Sequence, residues 1–155
     1  MKVLGKRSLA AFCFFLVNTV LLLGIAIIIV FPFVFSFIPS HVFNVFFLGE
    51  NYYLSLVSLE IAFIIIWLVL NELRKILKNI INSKIFLPEN AIYLKRVSIL
   101  SLTIGILLLV KCLVDFTFIT LIFASFSFSI CLFTQIFAGV LIRAIDLYDR
   151  SELVV

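Results

Sequence analysis

The 155-residue chain contains one histidine, one tryptophan, three prolines, three cysteines and five glycines, and only 13% of it is charged. Each shortage removes a class of function. With His41 alone, neither a histidine-based triad nor a His-rich metal site can be assembled. Cys13, Cys112 and Cys131 form no CxxC and have no companion histidines, so they read as small apolar core residues rather than metal ligands or a disulfide framework. There is no glycine-rich phosphate loop, no nucleophile–base pair and no cofactor motif, and an enzyme is not expected. The low charge, with 65% hydrophobic residues and a mean hydropathy of +1.36, lies far from soluble domains, which are about half apolar and a quarter charged.

Four apolar segments occupy most of the chain: 9–35, 53–70, 97–116 and 119–142. A spanning helix needs about 20 mostly apolar residues to cross roughly 30 Å of hydrocarbon. The expected fold is therefore all-α, a four-transmembrane-helix bundle forming a single membrane domain over 1–155. Lys2, Lys6 and Arg7 ahead of the first run resemble the start of a signal peptide. That run exceeds an h-region of about 7–15 residues and no small-residue cleavage site follows, so it is expected to stay as the first helix. Phe31-Pro32-Phe33 and Ile38-Pro39-Ser40 mark its outer end, because proline removes a donor and disfavours helix at the preceding residue.

Lysine and arginine are nearly absent from the two outer connectors, which share only Lys111. The other eleven are Lys2, Lys6 and Arg7, then Arg74, Lys75, Lys78, Lys84, Lys95 and Arg96 in the middle loop, then Arg143 and Arg150. The positive-inside rule places both termini and the middle loop in the cytoplasm. The net charge of +4 reflects this flanking pattern, and six loop cations without interleaved aromatics are not a nucleic-acid signature.

Within the loop, 71–96, Leu73, Ile76, Leu77, Ile80 and Ile81 follow the spacing of an amphipathic helix, with Lys75, Lys78, Asn79 and Asn82 on other faces. This predicts that the second helix continues to about residue 81. Asn82-Ser83-Lys84 then breaks it, and Pro88-Glu89-Asn90 begins the next helix with proline in the first turn and an acid that suits the helix dipole. The hairpin so formed is either a solvated topology element packed on its own partner helix or a docking surface, for a cytoplasmic protein or for anionic lipid.

Leu73-Arg74-Lys75-Ile76, Lys84-Ile85-Phe86-Leu87-Pro88-Glu89-Asn90 and Leu94-Lys95-Arg96-Val97 resemble the middle-loop signature of a bacterial four-helix membrane family, domain of unknown function 2975. The terminus, from Ile136-Phe137 through Arg143-Ala144-Ile145-Asp146-Leu147 to Glu152-Leu153-Val154-Val155, is similar to that family's ending. Leu87 stands where a capping Ser or Thr is usual, Arg150 where an acid is expected, and Val154 where Thr is usual. The resemblance implies a bacterial cytoplasmic-membrane protein whose genes often neighbour small helix-turn-helix regulators, and hence a membrane partner for such a regulator.

Ionisable groups at membrane depth cost about 2.5–3.5 kcal/mol each on insertion scales and are functional candidates by default. Glu60 lies well inside the second segment and Lys111 near the outer end of the third, one helical turn from Asp115, with which it can pair. Glu60 either pairs with Lys111, or stays protonated and bonds Asn18 or a neighbouring serine, or carries a proton or cation. Against transport, the second and third segments contain no proline and only Gly105, whereas carriers break helices near the midplane. Asn18 and Gln135 read as interhelical hydrogen-bond glue, worth about 0.6–2 kcal/mol. Ser125, Ser127 and Ser129, with Gly139, read as small residues permitting close packing.

The leading expectation is a non-enzymatic regulatory or accessory membrane protein that binds a cytoplasmic partner through Arg74, Lys75, Lys78, Lys84, Lys95 and Arg96. The alternatives are an immunity protein against a secreted membrane-active peptide, and a small proton or cation carrier using Glu60.

Overall fold

In the computed structural model the described residues are 4–37, 52–82 and 84–152. They form four helices: α1 (Leu4–Phe37), α2 (Tyr52–Ile81), α3 (Pro88–Val114) and α4 (Phe118–Glu152). All four are long and apolar enough to cross a membrane. At 1.5 Å per residue they measure about 40–52 Å, well beyond the roughly 30 Å of hydrocarbon. The α2–α3 turn, the start of α1 and the end of α4 share one end of the molecule, the basic end. The α3–α4 turn marks the far end. Along α1, Phe12, Phe15, Leu22 and Phe33 are each more than 60% exposed. Contiguous apolar surface of that kind marks a helix that faces lipid.

Three local rules explain the helix limits. α1 runs through Pro32 to Phe37, so the Phe31-Pro32-Phe33 motif does not end it. In hydrocarbon no water competes for the backbone, and the loss of one donor at proline is cheaper than unwinding. α3 begins at an extended Leu87 whose side chain makes no cap, and relies on Pro88 in the first turn and Glu89 near its positive end. α4 continues past residue 142 to Glu152, where the Arg150–Asp146 pair, 3.1 Å apart, occupies i,i+4 positions on its last turns.

Each helix packs on its neighbours in sequence, the α3–α4 seam being the most extensive, and non-adjacent helices scarcely touch. α2 and α3 are the inner pair, and α3 is the most buried of the four. Eight of its ten buried residues fall in two stripes at seven-residue spacing, Asn90, Val97, Ile104 and Lys111, and beside them Ala91, Ser98, Gly105 and Cys112; Ser101 and Leu108, seven apart, are the other two. A 3.5-residue repeat keeps one face turned to its neighbours, and the small residues let backbones approach closely. A Cβ on Gly105 would come within 3.1–3.2 Å of the Phe128 ring, so any larger residue would push the ring back by a few tenths of an ångström. Ser98 Oγ donates to the Cys131 carbonyl (3.2 Å) and meets its sulfur at 3.3 Å. Ile104, Leu108 and Ala124 form the core, with Ile65 and Leu107 against it.

α1 lies antiparallel on α2. Trp67 Nε1 donates to the Leu21 carbonyl (3.1 Å), Phe31 meets Phe63 edge-on with centroids 5.0 Å apart, and Arg74 lies 5.9 Å over the Phe14 ring.

Candidate functional site

At the basic end the polar residues are fixed in two clusters. The first is built on Asn90, only 2% exposed. Its amide nitrogen donates to the carbonyls of Lys84 (3.0 Å) and Ile85 (2.9 Å), and its oxygen accepts from Asn79 Nδ2 (2.7 Å). The Lys84 backbone N–H donates in turn to the Asn79 carbonyl at 2.9 Å. One side chain thus ties the end of α2, the turn and the start of α3. The same turn reaches α4, where Phe86 stacks on Tyr148 at 5.5 Å and 11°.

The second cluster surrounds Glu72, whose side chain is 11% exposed. Lys75 Nζ donates to its Oε1 at 2.6 Å and sits 5.5 Å over the Tyr93 ring, while Arg96 approaches Oε2 at 4.0 Å. An ammonium shared between a buried carboxylate and an aromatic face is held by the fold. Three of the six basic residues of the loop thus have contacts within the fold. Lys75 and Arg96 approach Glu72 and Arg74 lies over Phe14 of α1, whereas Lys78, Lys84 and Lys95, exposed like Arg74 and Arg96, have no ion-pair partner among the described residues, nor has the exposed Arg143 of α4.

The amphipathic stripe of α2 is only half-buried. Ile76 and Ile80, with Ile85 and Leu94, face Phe137, Val140 and Leu141 of α4 across an apolar groove of about 270 Å³. Lys84 and Arg143 are sequence neighbours of groove residues on its two sides. A second groove, about 240 Å³, lies between Ala91, Ile92 and Lys95 of α3 and Ile142 and Ile145 of α4.

Inside the span, Lys111 is 5% exposed and does not pair with Glu60. Its ammonium donates to Thr117 Oγ1 (3.1 Å) and Thr120 Oγ1 (3.2 Å), and these two hydroxyls are themselves hydrogen-bonded. Asp115, the C-cap of α3, donates its backbone N–H to the Lys111 carbonyl. Glu60 lies on another face. With Phe63 and Trp67 it occupies i, i+3 and i+7 on the side of α2 that meets α1, whereas Lys111 faces α4. Its Oε2 is buried without a hydrogen-bond partner among the described residues.

Asn18 cannot reach Glu60 either. The Leu21–Trp67 contact puts Asn18 level with Leu70, ten residues or about 15 Å along α2 from Glu60. Asn18 is half-buried and Gln135 exposed, and among the described residues neither side chain joins two helices. Ser125, Ser127 and Ser129 each donate to the carbonyl four residues back. Gly139 is exposed with nothing near its would-be Cβ, so it makes no close helix contact within the chain. The cysteines are free thiols. His41 and the α1–α2 connector lie outside the described residues.

Sequence reasoning missed Glu72, Asn79, Asn90, Tyr93, Thr117 and Thr120. A signal existed for two of them: Glu72 is the only acid in 71–84 and stands three residues before Lys75, and Asn90 begins the seven-residue series of α3. The partnership of Lys111 with two threonines across a helix turn has no comparable sequence signature. Comparison with models of known families, with curated proteins and with solved structures finds no significant match to this chain.

Proposed function

We propose that this chain is a non-enzymatic protein of the bacterial cytoplasmic membrane, with both termini and the basic end in the cytoplasm. In this reading it is a regulatory or accessory subunit that docks a soluble protein at that end. The observation that carries the proposal is the apolar groove between the Ile76–Ile80 face of α2 and the Phe137–Leu141 face of α4, with the exposed cations Lys84 and Arg143 nearby. Measured from the far end, Ile76 and Ile80 lie more than about 30 Å along α2, beyond the hydrocarbon. Apolar surface facing lipid needs no partner; apolar surface facing water favours one.

The matching partner is an amphipathic helix with acidic flanks, its apolar side laid into the groove at i, i+3, i+4 spacing. Cations around such a groove raise the association rate and select against basic partners. The resemblance of the loop to domain of unknown function 2975 supports a helix-turn-helix regulator as the class of partner. The mechanism would be sequestration at the membrane, or relay of a membrane event along α2 and α3, which Asn79, Asn90, Glu72 and Arg96 join at the basic end.

The test is crosslinked co-purification from native membranes at native expression, comparing wild type with Lys78→Glu/Lys84→Glu/Lys95→Glu. These three are chosen because Lys75, Arg74 and Arg96 have structural contacts whose loss would confuse the result. A single soluble protein, recovered with wild type and lost with the variant, is expected. Recovery of the same protein with both, or of no soluble protein with either, would refute docking at this end.

A further inference from the structure

We propose that the far half of the molecule holds one phospholipid, with an acyl chain in a cleft between α2 and α4 and the phosphate at Lys111. The cleft exists because α2 and α4 both lean on α3 and scarcely touch each other. Ile104 and Leu108 of α3 form its floor, Phe63 and Phe123 its walls, and Phe31 of α1 borders it, enclosing about 390 Å³ that remains open to the surroundings.

Depth identifies the first half of the occupant. Thr120 and Ser127 border the cleft two and nine residues into α4, so it spans roughly 3 to 14 Å below the far end of that helix. Its shallow edge, at Thr120, is near the level of the glycerol groups, and acyl chains are the solvent over the rest of that depth. Water is a poor occupant, because the only hydroxyls on the cleft are committed: Ser127 donates to the Phe123 carbonyl, and Thr120 is bonded to Thr117 and Lys111. An empty cleft would forfeit dispersion contacts along its whole lining. A chain of methylenes restores them.

Charge identifies the second half. The Lys111 ammonium has three donors, two of which meet the neutral hydroxyls of Thr117 and Thr120. It lies three residues, or about 5 Å, from the end of α3, near the level of the glycerol and phosphate groups. Thr120 links the two parts, since it borders the cleft and accepts from the ammonium. With two of its donors held by the threonines, the ammonium has one left, which suits one oxygen of a phosphodiester. No other cation of this chain belongs to the far end among the described residues.

The full chain is reconstituted in vesicles containing dioleoylphosphatidylglycerol or, at the same fraction, dioleoylglycerol, which has the same chains without the phosphate. It is then extracted in mild detergent and weighed by native mass spectrometry. Wild type is expected to retain one phospholipid, with a preference over the diacylglycerol of roughly tenfold, equivalent to about 1.4 kcal/mol. Lys111→Gln should lose the preference. Ser127→Phe, which leaves Lys111 untouched and fills the cleft, should lose the retained molecule. Equal retention of both compounds by wild type, or retention that survives both substitutions, would overturn the proposal and assign the adduct to ordinary surrounding lipid. Absence of any retained molecule would overturn it as well.

Discussion

Asn90 is the residue on which the geometry of the basic end turns, and replacing it by leucine gives the sharpest stability prediction. Leucine has the same number and branching of side-chain heavy atoms, though it is bulkier, and makes none of the three hydrogen bonds to Asn79, Lys84 and Ile85. A buried hydrogen bond contributes about 1 kcal/mol net, and a donor or acceptor stranded without water costs about 1–3 kcal/mol. Lys84 and Ile85 are exposed, so their carbonyls can recover water, which holds the total to about 2–3 kcal/mol. Asn79→Ala removes only one of the bonds and should cost about 1 kcal/mol. If the two residues act through that bond, the double variant falls short of additivity by about 1 kcal/mol. Unfolding by SDS titration in mixed micelles measures the global term. Hydrogen exchange at the Lys84 amide, bonded to the Asn79 carbonyl, measures the local one and should accelerate at least about tenfold. A cost below about 0.5 kcal/mol with unchanged exchange would refute the claim that this side chain fixes the turn.

Three further outcomes follow from the same reasoning. Glu72→Gln should destabilise by about 1.5–3 kcal/mol, the value of a hydrogen bond to a charged partner, whereas Arg96→Gln should cost under about 1 kcal/mol because the guanidinium is largely exposed at 4.0 Å; equal costs in SDS unfolding would contradict the assigned roles. Gly105→Ala should cost about 1–3 kcal/mol through collision with the Phe128 ring, and Phe128→Leu in the same chain should recover most of it; a neutral Gly105→Ala would show that the ring is not seated as described. Trp67→Phe should cost about 0.5–1.5 kcal/mol by removing the N–H that reaches the Leu21 carbonyl, and should loosen α1 from α2 as read by crosslinking between cysteines placed on the two helices; an unchanged crosslinking rate would count against that contact as the clamp.

The helical segments were legible because hydrocarbon imposes a length and an apolar composition that no other context demands. The extension of α2 to Ile81 and the start of α3 at Pro88 were equally legible, from the Leu73–Ile81 spacing and the proline. Pro32 misled for a definite reason: the rule that proline ends helices presumes water ready to satisfy the freed carbonyl. Depth alone misled for Glu60 and Lys111. Both lie in the far half, but depth does not fix azimuth, and Glu60 turns to α1 while Lys111 turns to α4. The contacts of Lys75 and Arg96 with Glu72 were not legible, because sequence shows the six cations of the loop and hides their partners. Gly105 was noticed only as an absence of helix breakers, when its place in the Ala91–Ser98–Gly105–Cys112 stripe is what lets Phe128 pack.

Everything proposed for the basic end requires that it face the cytoplasm. The direct measurement is cysteine labelling in intact cells, with Cys13, Cys112 and Cys131 first replaced by serine and single cysteines then placed at Lys84 and at Phe116, both exposed at opposite ends of the molecule. The expected result is that a membrane-impermeant thiol reagent labels the Phe116 position and spares the Lys84 position until the membrane is permeabilised. Labelling of the Lys84 position in intact cells, with the Phe116 position protected, would invert the molecule in the membrane and remove the basis for a cytoplasmic docking site.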